Sequence, residues 1–75
     1  MARHVFPLRG EYIELHNLLK LLAIAPSGGA AKMMVADGAV TVDGEVETRK
    51  ARKLRVGAVG QIGNEELRID ADDAS

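Results

Sequence analysis

Ser27-Gly28-Gly29-Ala30-Ala31-Lys32-Met33-Met34-Val35-Ala36-Asp37-Gly38-Ala39-Val40-Thr41-Val42-Asp43-Gly44 changes its apolar period once, at Gly38. Before that glycine, Ala31, Met34 and Val35 fall on one face of a helix. Ser27 stands where its hydroxyl can accept a hydrogen bond from a free backbone amide of the first turn. Asp37-Gly38 supplies the left-handed exit that many helix ends take, because glycine has no side chain to clash there. Beyond it, Val40, Val42 and Val46 alternate with polar residues about Asp43-Gly44, a pair that favours a tight hairpin turn. A helix leading directly into a β-hairpin is expected.

Upstream, Leu15, Leu18, Leu19 and Leu22 recur at helical spacing and predict a first helix over roughly Glu14 to Leu22, stopped by Pro26. Leu15, Leu18 and Leu22 seat this helix, and Ala31 is small enough to let the second helix lie close against it. An extended opening around His4 to Leu8 and a turn at Arg9-Gly10 precede it. Downstream, Leu54 and Val56 alternate, Gly57 gives a turn, Val59 and Ile62 suit another strand, and Leu67 and Ile69 a last one after Gly63-Asn64. The fold class is α+β, with two helices packed on a small, mostly antiparallel twisted sheet.

At 75 residues the chain has room for one domain with a thin core, expected over residues 1–69. The acidic end, Asp70-Ala71-Asp72-Asp73-Ala74-Ser75, reads as a disordered tail over 70–75. Without cysteine there is no disulfide framework and no thiolate metal site. Apolar runs such as Leu21-Leu22-Ala23-Ile24-Ala25 fall far short of the ~20 residues that span a bilayer. The opening Met1-Ala2-Arg3-His4-Val5-Phe6-Pro7 lacks the apolar region of a secretion signal. A cytoplasmic protein without a membrane partner is expected.

Charge is nearly balanced overall, at −1, but unevenly placed. Arg49-Lys50-Ala51-Arg52-Lys53-Leu54-Arg55 holds half of the ten cations in seven residues, with acids before and after it. A local field of this kind suits a polyanion.

The register Ser27, Ala31, Met34, Val35, Gly38, Val40, Val42, Asp43, Gly44 resembles the RNA-binding domain named for ribosomal protein S4, also called the αL motif. The resemblance begins near Ile13 and Leu15, includes Leu18 and runs to Gly57. Glu47-Thr48-Arg49-Lys50 with the following basics looks like the small free-standing bacterial members, in which this domain is the whole protein. The resemblance implies one positive surface that meets structured RNA, ribosomal or transfer RNA, through phosphates and shape. By it, Arg49, Lys50, Arg52 and Lys53 join Lys32, which lies on the turn facing away from Met34 and Val35.

Three positions depart from the family pattern. Gly28 stands where an arginine commonly follows the serine, so one implied phosphate contact is missing. Gly28 and Gly29 instead offer backbone amides beside Ser27 at a helix start, a seat for a phosphate oxygen, or serve only as a cap for close packing. Asp43 replaces the usual asparagine and brings a negative charge near the surface, and Ala58 stands where an acid often follows the glycine.

No enzyme is expected. Ser27 and Ser75 are the only serines, and His4 and His16 have no partners for a nucleophilic triad or zinc site. Gly28-Gly29 lacks the strand and third glycine of a dinucleotide fingerprint, so neither a cofactor nor a small-molecule substrate is expected. With Phe6 and Tyr12 the only aromatics, a stacking platform for single strands is disfavoured. Double-helical RNA read through phosphates and 2′-hydroxyls fits better. The alternative is a protein-interaction module docking an acidic partner, such as a ribosome-associated protein. A DNA-binding helix-turn-helix is weaker, since its recognition helix would carry only Lys32.

Overall fold

A computed structural model describes residues 2–72. The chain opens with β1 (Ala2–Leu8) and the short β2 (Ile13–Glu14), which leads straight into α1 (Leu15–Leu21). Leu15, Leu18 and Leu19 of α1 are fully buried, and Leu22 packs at the edge of the same core. The helix ends ahead of Pro26, not at it. Ala23 takes φ 58°, and the amides of Leu22 and Ala23 bond back to the Leu18 and Lys20 carbonyls, so a left-handed residue closes the last turn.

Helix α2 (Gly28–Ala36) starts at Ser27, whose Oγ accepts from the Ala30 amide at 3.1 Å, and its exit passes through Gly38 at φ 76°. It buries Ala31 and Val35 against α1, while Met33 points to solvent. The hairpin of β3 (Val40–Val42) and β4 (Glu45–Val46) turns on Asp43 and Gly44, both at positive φ, 52° and 87°, as a mirror-image two-residue turn requires.

After a loop come β5 (Lys53–Leu54), β6 (Val59–Ile62) and β7 (Glu65–Ala71). The main sheet has the order β1-β7-β6-β3-β4. It is antiparallel except at β1, which pairs parallel with β7 from Ala2↔Glu65 to Leu8↔Ala71. Leu8, Val40, Val42, Leu67 and Ile69 point from this sheet into the core shared with both helices. The expected α+β architecture, two helices on a mostly antiparallel sheet, is observed.

Two local expectations are corrected. The segment around Leu54 does not join the main sheet. It pairs with β2, Ile13↔Leu54 and Glu14↔Lys53, in a separate two-stranded ladder, and Val56 lies exposed in the following turn. Burying Leu54 beside Ile13 and α1 satisfies its side chain without a long strand. The acidic end also orders further than expected: Asp70 and Ala71 belong to β7, and Asp72 bonds the Leu8 carbonyl and pairs with Arg9. Of the tail expected over 70–75, residues 73–75 lie outside the described residues.

Candidate nucleic-acid interface

Helix α1 begins without a side-chain cap, since Glu14 supplies none. Its first amides must find other acceptors, and the basic segment provides them. Leu15 N donates to the Arg52 carbonyl at 2.9 Å and His16 N to the Lys50 carbonyl at 3.1 Å. The His16 ring adds a bond from Nδ1 to the same Lys50 oxygen at 2.7 Å. A carbonyl can only accept, so Nδ1 carries the proton there. A turn closed by Arg52 N on the Arg49 carbonyl at 3.1 Å completes the loop. The backbone of residues 49–52 is thereby spent on the helix start, and the side chains of Arg49, Lys50 and Lys53 face solvent.

Glu47, which in the sequence looks like one more solvated acid, organises this loop. Its side chain is only 8% exposed. Oε1 accepts from Arg49 N at 2.9 Å and Arg49 Nε at 3.0 Å, and Oε2 from Arg49 Nη2 at 3.1 Å and Arg52 Nη1 at 2.7 Å. Arg49 holds the carboxyl far below its ordinary value, at about 2, through side-chain and then backbone hydrogen bonds; Arg52 helps, and burial opposes. Arg49 is held in its charged form in return. Two of the three loop cations are therefore oriented by an internal acid, yet the Arg49 side chain stays 73% exposed. A guanidinium gripped on one edge still offers its remaining N–H groups outward. The one available signal for this role was the arginine spacing, two and five residues after the acid.

The remaining candidates are more scattered. Lys32 is exposed on α2, and no hydrogen bond or ion pair among the described residues joins it to the loop. Ser27 uses its hydroxyl oxygen as the α2 cap. Added Cβ atoms at Gly28 and Gly29 would meet nothing closer than Ser27 Oγ at 3.9 Å, and neither residue is left-handed. Close packing is thus no reason for glycine at either position.

Two open clefts flank Arg52. One, of about 380 Å³, runs along Lys53, Leu54 and Arg55; the other, of about 400 Å³, along Glu45, Glu47 and Arg49. Asp43 lines both, and its Oδ1 accepts from Val59 N at 3.0 Å, tying the hairpin turn to β6. The substitution of Asp for Asn thus retains a structural hydrogen bond while placing a carboxylate beside the loop cations.

The family model for the S4 domain matches residues 6–70. The chain belongs to the S4 domain family. Among solved structures, this S4 domain is similar to YbcJ of Escherichia coli, at TM-score 0.64 and 37% identity, covering 95% of this chain and 89% of that one. That solution structure is described as revealing an αL motif involved in RNA binding. In sequence, YbcJ of strain K12 is 40% identical over 60 residues, 80% of this chain and 86% of YbcJ. A Bacillus subtilis (strain 168) relative named "Probable ribosome maturation protein RlbA" is 42% identical over 52 residues, 69% of this S4 domain and 73% of that protein. No helix among the described residues is long and apolar enough to cross a membrane.

Proposed function

We propose that this chain is a non-enzymatic, cytoplasmic RNA-binding protein that grips structured RNA, ribosomal or transfer RNA, through the phosphates. Arg49, Lys50, Arg52 and Lys53 form the centre of the surface, with Lys32 and the α2 start at Ser27, Gly28 and Gly29 as its second edge. The observation that carries this reading is the clamping of the 49–52 backbone onto α1, with Glu47 beneath, so that cations face outward on a fixed frame. Fixing long side chains before binding lowers the ordering cost of the complex. The likeness to YbcJ, whose αL motif is described as involved in RNA binding, supports the same class of ligand. Ribosome-associated proteins are the partners to expect nearby, as the name of the Bacillus subtilis relative suggests.

The test is fluorescence anisotropy of a labelled RNA hairpin titrated across a salt series, with duplex DNA of equal length as competitor. About four to six phosphate contacts give a slope of log affinity on log salt of roughly −3 to −5, with RNA preferred. Reversing the charge of Lys50 and Lys53, neither of which bonds Glu47, sharply weakens binding while the circular dichroism spectrum is retained. Absence of binding at low salt would turn the basic loop into a docking site for an acidic protein.

A further inference from the structure

We propose that Tyr12 is a seat for one unpaired base of the bound RNA, so that the preferred target carries an extruded nucleotide beside a paired helix. This rests on the RNA-binding reading above and deepens it. In the β2–β5 ladder Ile13 and Leu54 face one another and pack with the core. Side chains alternate along a strand, which sends Tyr12, Lys53 and Arg55 to the opposite, outer face. There Lys53 Nζ lies 4.9 Å from the centre of the Tyr12 ring and Arg55 Cζ 6.0 Å from it. Arg55 is steadied by a bond from Nη1 to the Glu11 carbonyl at 3.4 Å.

The ring is not core: Tyr12 is 42% exposed, and its hydroxyl makes no hydrogen bond among the described residues. One ring cannot form a platform for a strand, but it can hold one base. An exposed cation–π contact is worth less than a stacked base, so a base can take the place of the Lys53 ammonium. The flexible lysine stem then carries its charge to a flanking phosphate. Arg52, Lys53 and Arg55 also line the neighbouring 380 Å³ cleft, with Asp43 as its one acid, so cations are at hand for a phosphate next to that base. A continuous A-form helix keeps its bases stacked and leaves this seat empty.

Tyr12 is the only tyrosine, and the chain has no tryptophan, so tyrosine emission reports on this ring alone. Two end-labelled hairpins are compared, identical except that one carries a single-nucleotide bulge. Anisotropy reads affinity and tyrosine emission reads stacking. The bulged hairpin is expected to bind about tenfold more tightly and to quench the emission. Tyr12→Leu brings its affinity down to that of the paired hairpin, while Tyr12→Phe keeps the preference. Equal affinities for the two hairpins, unquenched emission, or an equal loss on both in Tyr12→Leu overturn the base seat while anisotropy still shows RNA bound. If neither hairpin binds the native chain at low salt, the RNA-binding reading falls and the base seat with it.

Discussion

Arg49 grips Glu47 with two arms of its fork, Nε to Oε1 at 3.0 Å and Nη2 to Oε2 at 3.1 Å, while its own backbone amide adds a third bond to Oε1 at 2.9 Å. A carboxylate this well supplied with donors, and this far from water, is a structural pivot. Glu47→Gln keeps one acceptor oxygen but loses the charge and turns an amide NH₂ toward a guanidinium. The expected cost is about 2 kcal/mol, seen as a fall in Tm of about 10 °C in a thermal melt. A melt unchanged within a degree or so would show that the arginines hold the loop without it.

The same pair sets a pH dependence. Folding lowers the Glu47 carboxyl from 4.5 to about 2, so between those values the unfolded chain binds the proton and the folded chain does not. Its contribution to stability is fully present above about 4.5 and fades as the pH falls to about 2. Denaturant midpoints followed from neutral to acid pH should fall across that window, and fall less steeply in Glu47→Gln. Parallel profiles for the two proteins would assign the acid loss to other carboxyls.

Asp43 puts a negative charge between the two clefts that flank Arg52. Asparagine tolerates the positive φ of 52° and can keep the acceptor oxygen for Val59 N. Asp43→Asn should therefore leave the fold alone and raise RNA affinity about threefold at low salt, by removing repulsion of phosphate. Affinity that stays level or falls in the anisotropy titration would place the RNA path away from this hairpin.

Ala23 holds φ 58° at the end of α1, a conformation in which its Cβ crowds the following carbonyl. Glycine avoids that contact at some entropic cost to folding. Ala23→Gly is expected to stabilise by about 0.5–1 kcal/mol, read as a higher urea midpoint at unchanged slope. A lower midpoint would mean that chain entropy outweighs the strain.

What could be read from the sequence followed the range of each interaction. The two helices and the Asp43-Gly44 hairpin rest on neighbours a few residues apart, and leucine spacing, a serine cap and Asp-Gly chemistry all act at that range. The partner of Leu54 could not be read the same way. Its strand signal is genuine, but it is satisfied by Ile13, a short stretch on the far side of both helices. The basic loop announced itself by composition, whereas its support did not. Glu47 is buried only because Arg49 and Arg52 fold back on it, and acids of identical appearance, such as Glu45, stay in water. Tyr12 showed the same limit, since its cations lie some forty residues away and reach it only through the β2–β5 register.

The placement of β7 between β1 and β6 gives the fold an order of assembly during synthesis. Among the described strands, the last to be made is an inner one, and it brings Leu67 and Ile69, both fully buried. Until it emerges, β1 has no partner in the sheet and the helices face an incomplete layer. A nascent chain released before Ala71 therefore exposes apolar surface that no earlier segment can cover. A chain cut short ahead of β7 therefore keeps that gap in its core and should be readily recognised by quality-control proteases.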